Sequence, residues 1–174
     1  MASVVRASFW AVPDASSRRW CDAQITALAD RADSRGFAAH LTLVGEACGG
    51  WTNEDVAAAL RGAGPVHVEL TEVDDEDATY RCVTLRAAPA GPTELRRRLL
   101  TVVEDRGAGT FRPHLSVLYG ALDPERRRAL VREVALRTPL PPVVVDAVAA
   151  WDTSDDDWSR WHEVARWPLE GTPT

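Results

Sequence analysis

Two short runs constrain this chain more than anything else in it. Phe37-Ala38-Ala39-His40-Leu41-Thr42-Leu43-Val44-Gly45 and Phe111-Arg112-Pro113-His114-Leu115-Ser116-Val117-Leu118-Tyr119-Gly120 share one pattern: Phe, two residues, His, Leu, a hydroxyl residue, apolar residues, Gly. From each His onward the run is dense in Leu and Val and bounded by breakers, which predicts a short strand. Alternation puts His40 and Thr42 on one face and Leu41 and Leu43 on the other; His114 and Ser116 oppose Leu115 and Val117 in the same way. Such strands bury leucine behind and present imidazole plus hydroxyl in front, as the wall of a cleft would. The two histidines lie 74 residues apart. One motif per lobe, facing across a groove, is the expected geometry.

The rest of the pattern places these strands in an α+β fold. Val4 to Val12 predicts a strand closed by Pro13. A helix follows to about Asp33, with Ser16 or Ser17 as its cap and Gly36 as its end. Thr52 or Asn53 caps a short helix, Glu54 to Arg61. Val66 to Val73 and Thr79 to Ala87 read as a hairpin around Asp74-Asp75-Glu76-Asp77. A helix from about Thr93 to Glu104 leads to the second motif, and Asp123-Pro124 opens another, Asp as cap and Pro at the first helical position. Val143 to Ala150 and Trp158 to Leu169 are two further strands. Hairpins stand where a parallel sheet would need crossovers. The expected architecture is therefore largely antiparallel sheets with packed helices, residues 1–174 forming one two-lobed unit whose halves are related by an approximate two-fold axis.

Composition removes several function classes. A chain of 174 residues can bury a sizeable core, and a net charge of −6 offers no global basic field for long nucleic acid or an anionic membrane. Local arginines can still hold a small anion. Every Lys or Arg is Arg, the better phosphate clamp. Cys21, Cys48 and Cys82 are odd in number without CxxC spacing, so neither a disulfide framework nor a zinc site is expected. Met1 to Pro13 does not read as a secretory signal, and no apolar run reaches spanning length. A cytoplasmic protein with no membrane association, no cofactor, no metal and no obligate protein partner is expected.

Two histidines facing one ligand can serve as general base and general acid near neutral pH, since the free imidazole pKa is about 6.5. Thr42 and Ser116, on the same faces, can hydrogen-bond the non-bridging oxygens of a phosphate held between the imidazoles. That chemistry suits a strained cyclic phosphodiester, in which neither metal nor covalent nucleophile is essential.

At these residues the sequence resembles the two-histidine phosphoesterase superfamily, marked by paired H-x-T/S motifs on a duplicated, two-lobed α+β fold. Here they are His40-Leu41-Thr42 and His114-Leu115-Ser116. Pro113 to Tyr119 looks most like the cyclic phosphodiesterases of plant and yeast type, and Val145 to Leu169 resembles that family's closing hairpin. The resemblance implies catalytic His40 and His114, phosphate contacts from Thr42 and Ser116, and hydrolysis of a 2′,3′-cyclic nucleotide or ADP-ribose 1″,2″-cyclic phosphate to a monoester. It also implies a substrate contact from Tyr119. Strict alternation, however, puts Tyr119 with Leu115 and Val117 on the far face; either a bulge or the turn at Gly120 re-aims it, or its role is structural. Ala38-Ala39 departs from the Pro that often precedes the first His. The alternatives are an RNA-end enzyme acting on 2′,3′-cyclic ends or 2′-5′ linkages, and a nucleotide-binding module without turnover.

Other polar residues have plainer readings. His67 falls on a polar strand face with Glu69, and His162 packs or faces water. Arg86 and Arg112 can reach phosphate or ribose, although exposure is the ordinary state of an arginine. Trp10, Trp51, Trp151, Trp158, Trp161 and Trp167 are mostly core by type, with one able to stack on a base. Asp74 to Asp77 lacks calcium-loop spacing and reads as a solvated turn.

Overall fold

The computed structural model describes residues 6–48, 50–107, 109–136 and 139–172. Nine strands and four α-helices follow in the order β1 (Ala7–Pro13), α1 (Ala15–Ala32), β2 (Leu41–Cys48), α2 (Asn53–Leu60), β3 (Val66–Val68), β4 (Leu70–Asp74), β5 (Val83–Ala87), α3 (Ala90–Leu99), β6 (Glu104–Asp105), β7 (His114–Leu118), α4 (Pro124–Ala135), β8 (Val143–Asp152) and β9 (His162–Pro168). Single 3-10 turns, Thr79–Arg81 and Trp158–Arg160, precede β5 and β9.

All strand pairs are antiparallel, in the order β3-β8-β1-β2-β7-β5-β4, with β6 on β2 and β9 on β8. The duplication is visible in this order. β1-α1-β2-α2 and β5-α3-β7-α4 are successive copies of one unit, and they meet back to back at β2 and β7. One residue pair, Leu41↔Leu115, joins the halves there. The helices cross over the seam: α1, from the first half, packs on β7, and α3, from the second, packs on β2. Beneath them Leu41, Leu43, Leu115 and Val117 are buried to 1% exposure or less. Removing such a leucine typically costs about 2–5 kcal/mol, so apolar packing holds the seam beside the Leu41–Leu115 bridge and the pairing of β6 with β2. Among the described residues no helix is long and apolar enough to cross a membrane.

Several element ends differ from their expected positions, each for a local reason. Asp14, not Ser16 or Ser17, caps α1, accepting from the Ser17 amide at 2.7 Å. The Ser17 hydroxyl instead accepts from the Val144 amide and ties the helix to β8. Asp33 closes α1 in the left-handed region at φ 58°, a conformation Asp tolerates through its short polar side chain, so the helix stops before Gly36. The expected strand Val66 to Val73 is broken at Glu69: β3 pairs with β8 in one half and β4 with β5 in the other. α3 ends at Leu99, because the next residues return to the sheet as β6. There the Asp105 carboxylate accepts from Arg96 at 2.7 Å and from the Glu46 and Gly107 amides. Val4 and Val5 of the first expected strand lie outside the described residues. Thr52 caps α2 with a reciprocal Asp55 bond, and Asp123 with Pro124 opens α4, as expected.

Candidate active site

The seam between β2 and β7 sets the site. Antiparallel pairing of Leu41 with Leu115 places His40 opposite Ser116 and Thr42 opposite His114. Each histidine therefore lies across from the hydroxyl residue of the other motif. All four line one cleft of about 390 Å³, within the size range of small-ligand sites. Trp10 of β1 extends the row beside Thr42, and Thr84 of β5 beside Ser116.

His40 is 4% exposed at the entry to β2. Its Nδ1 lies 2.6 Å from the Ala38 carbonyl oxygen, which can only accept, so Nδ1 carries the proton and Nε2 the lone pair. The hydroxyl of Tyr119 donates to that Nε2 across 3.3 Å. Burial holds His40 far below the ordinary histidine value, to about 3; the Ala38 carbonyl opposes this, and His114 adds a small push downward. The neutral ring is the resting form.

His114 follows the same plan from the other side. Its Nδ1 donates to the Arg112 carbonyl at 2.8 Å, which again leaves Nε2 as the nitrogen available to a ligand. It is less enclosed than His40. Burial lowers its pKa, the Arg112 carbonyl counteracts, and then Arg81 lowers and Glu76 raises it.

The remaining expected residues fare differently. Thr42 is partly exposed in the cleft. Ser116 is 4% exposed and its hydroxyl donates to the Tyr80 carbonyl at 2.9 Å, so its proton is already engaged while its oxygen can still accept. Tyr119 reaches the cleft despite the alternation of β7. The strand ends at Leu118, the Tyr119 carbonyl accepts from the Ser34 hydroxyl at 2.7 Å, and Gly120 turns with φ 146°. That φ favours glycine, but the ring is re-aimed earlier. Val83 pairs with Leu118 and Thr84 with Ser116, so Val117 is an extra, bulged residue and Tyr119 comes onto the face of Ser116. There its ring stacks on Phe37 with centroids 3.6 Å apart. Burial raises the Tyr119 pKa, with Tyr80 a lesser cause, so the phenol stays protonated and donates. Arg86 is spent on Asp74 and Glu72. Arg112 is exposed on a neighbouring cavity of about 410 Å³ beside His114, with Arg81 and Arg96. His67 and His162 are exposed, away from the cleft lining.

Sequence reading did not single out the walls. Tyr80, 39% exposed, and Trp161 stand at the cleft mouth with ring centroids 5.2 Å apart. Asp155, Asp156, Arg6 and Arg81 complete that rim. Trp10 stacks flat on His40, centroids 3.5 Å apart and planes 7° from parallel. Only Trp10 carried a usable signal: it alternates with Ser8, which marks a polar face of an otherwise apolar strand. Among the described residues no three His, Cys, Asp or Glu side chains group as a metal site.

Residues 12–157 match the family model of the 2′-5′ RNA ligase superfamily. Among solved structures, E. coli LigT in its apo form aligns with a TM-score of 0.57 at 20% identity, over 97% of this chain and 99% of LigT. LigT complexed with 3′-AMP aligns equally well, over 96% of this chain and 99% of that one. A protein described as a phosphoesterase aligns with a TM-score of 0.55 at 18% identity, over 97% and 99%. At these identities the likeness is one of fold. No curated protein sequence matches the chain.

Proposed function

The chain belongs to the 2′-5′ RNA ligase superfamily of two-histidine phosphoesterases, and we propose that within it this protein hydrolyses a small cyclic phosphodiester, a 2′,3′-cyclic nucleotide or ADP-ribose 1″,2″-cyclic phosphate, to a monoester. One observation carries the reading: His40 and His114 line one cleft, each with Nδ1 committed to a backbone carbonyl and Nε2 left for chemistry. A phosphate between them meets a base, an acid and the hydroxyls of Thr42 and Tyr119.

The greater burial of His40 gives it the base role. Its Nε2 takes a proton from water as the water oxygen bonds to phosphorus. His114, protonated against the substrate anion, delivers its proton to the ribose oxygen as the other P–O bond breaks. Thr42 donates to a non-bridging oxygen, and the Tyr119 hydroxyl, released from His40, is placed to do the same. Tyr80 and Trp161 line the cleft and offer an aromatic wall for the base or ribose. LigT, which shares the fold, has been crystallised with 3′-AMP, a nucleoside monophosphate of the kind such a reaction yields.

The RNA-end reading draws on a separate feature, the cavity with Arg81, Arg96 and Arg112 beside His114, which could take a neighbouring phosphate of a chain. Turnover of a panel of 2′,3′-cyclic mononucleotides and ADP-ribose 1″,2″-cyclic phosphate tests the main proposal. Formation of a monoester supports it; saturable binding with no product would make the protein a nucleotide-binding module instead.

A further inference from the structure

We propose that Trp10 is a positioning residue for this reaction: its indole fixes the plane of the His40 ring and favours the imidazolium that this ring becomes when it takes a proton. The inference rests on the base role given above to His40, and it adds a residue that touches neither phosphate nor water.

The geometry is specific. Trp10 is 2% exposed, and its ring lies 3.5 Å from that of His40 at 7°. Its other face stacks on Trp151 at 4.3 Å and 21°. The indole N–H donates to the Ser8 hydroxyl at 2.8 Å, and that hydroxyl donates to the Val44 carbonyl of β2 at 3.0 Å. Both faces and the polar edge of Trp10 are therefore occupied, which removes it as a platform for a substrate base. Its place is instead that of a clamp. The Ala38 carbonyl sets the rotation of the imidazole in its own plane, and the indole sets the plane itself.

The chemistry follows from the charge distribution of the indole. Its face is negative, so a cation above it is attracted, most strongly where water is excluded. His40 is neutral at rest and cationic after proton transfer, so the interaction is gained as the reaction proceeds. Of the other groups around His40, the Ala38 carbonyl favours the cation through Nδ1–H, but Tyr119 donates to the ring, His114 opposes its charge, and His40 has no hydrogen-bonded carboxylate. Tyr80, Arg6, Arg81, Glu46, Asp155 and Asp156 line the same cleft; Glu46 is paired with Arg6 and Asp155 with Arg160.

The test compares wild type with Trp10→Phe and Trp10→Leu. The chain has four histidines, so the imidazole resonances can be assigned and followed by NMR against pH in saturating inorganic phosphate. The His40 ring protons should resonate upfield in wild type, under the indole ring current, and lose that shift in Trp10→Leu. The His40 midpoint should fall by up to about one pH unit in Trp10→Leu and by less in Trp10→Phe, with that of His114 unmoved. With a cyclic nucleotide, kcat should fall about tenfold in Trp10→Leu while KM changes less than about twofold. If Trp10→Leu does not fold, Trp10→Phe carries the test. A His40 midpoint unchanged or raised in the folded variants, or a loss confined to KM, overturns the proposal. If wild type turns over no cyclic phosphate, the functional reading fails while the midpoints still decide what Trp10 does to His40.

Discussion

The hydroxyl of Tyr119 lies 3.3 Å from Nε2 of His40 although the two residues are 79 positions apart and belong to different halves of the sheet. A side chain that strict alternation would point into the core instead donates to the imidazole proposed as base. The bulge of β7 at Val117 brings about this contact. The contact also links the end of one His motif to the start of the other, so the two halves share a single polar centre.

Tyr119→Phe should separate the hydroxyl from the ring. The stack on Phe37 survives the change, so the melting temperature should move little. Loss of one hydrogen bond, worth about 0.5–1.5 kcal/mol, should lower kcat by about three- to tenfold. Tyr119→Ala removes a ring that is 3% exposed and should destabilise by about 3–5 kcal/mol. Thermal melts beside steady-state kinetics check both; a Phe variant that unfolds, or that keeps full kcat, would contradict this division of labour.

His40→Ala and His114→Ala should each cost about 10²–10⁴ in turnover, the usual worth of one acid or base. Thr42→Ala should cost less and act mainly through kcat. Ser116→Ala should also lower stability, since its hydroxyl bonds the Tyr80 carbonyl at the cleft wall. The proposed chemistry needs only imidazoles, so activity should persist in EDTA. Loss in EDTA with recovery on adding a divalent ion would sink that part of the mechanism.

Stability should decline on mild acidification. His40 is held down to about 3 by burial, and His114 is lowered in the same direction. In the unfolded chain both titrate near 6.5. Below about pH 6.5 the unfolded state therefore binds protons that the native state refuses. The stability difference is fully present above that pH and shrinks as pH falls toward the native values, by at most about 1.4 kcal/mol per pH unit for each group. Urea unfolding at about pH 7, 6 and 5 measures the slope. His40→Gln should flatten it, and an unchanged slope would mean that another group is responsible.

Substrate size is decided by salt as well as by rate. Long RNA is held through many phosphates and its binding weakens steeply with salt. A cyclic mononucleotide needs one phosphate seat, so its KM should depend only weakly on ionic strength. The comparison is kcat/KM for a cyclic mononucleotide and for an oligonucleotide bearing the same cyclic end, at low and moderate salt. A preference of several hundredfold for the oligonucleotide would move the protein to RNA ends and give the Arg81, Arg96 and Arg112 cavity a role in binding the chain.

What the sequence determined by itself was local. A period of two along Leu41 to Leu43 and along His114 to Ser116 requires that His and hydroxyl share one face and the leucines the other. Beyond these residues, bulges opposite β1 and β5 break the period, and Val44 and Leu118 are buried. Asp123-Pro124 and Thr52 could be read as helix starts because a cap acts within four residues. The tertiary structure decided what depends on distant partners. The pairing of His40 with Ser116 and of His114 with Thr42 comes from the register of two strands far apart in sequence, whose leucines α1 and α3 cover. Glu69 breaks an apparently continuous strand because β8 and β5 each claim one end of it. Trp10 looks like a core residue until β2 brings His40 under it. Tyr119 leaves strict alternation because Val117 bulges where β7 pairs with β5, and Ser34 and Thr79 then bind its carbonyl and the following amide. Short-range periodicity specifies faces; only long-range packing specifies which faces meet.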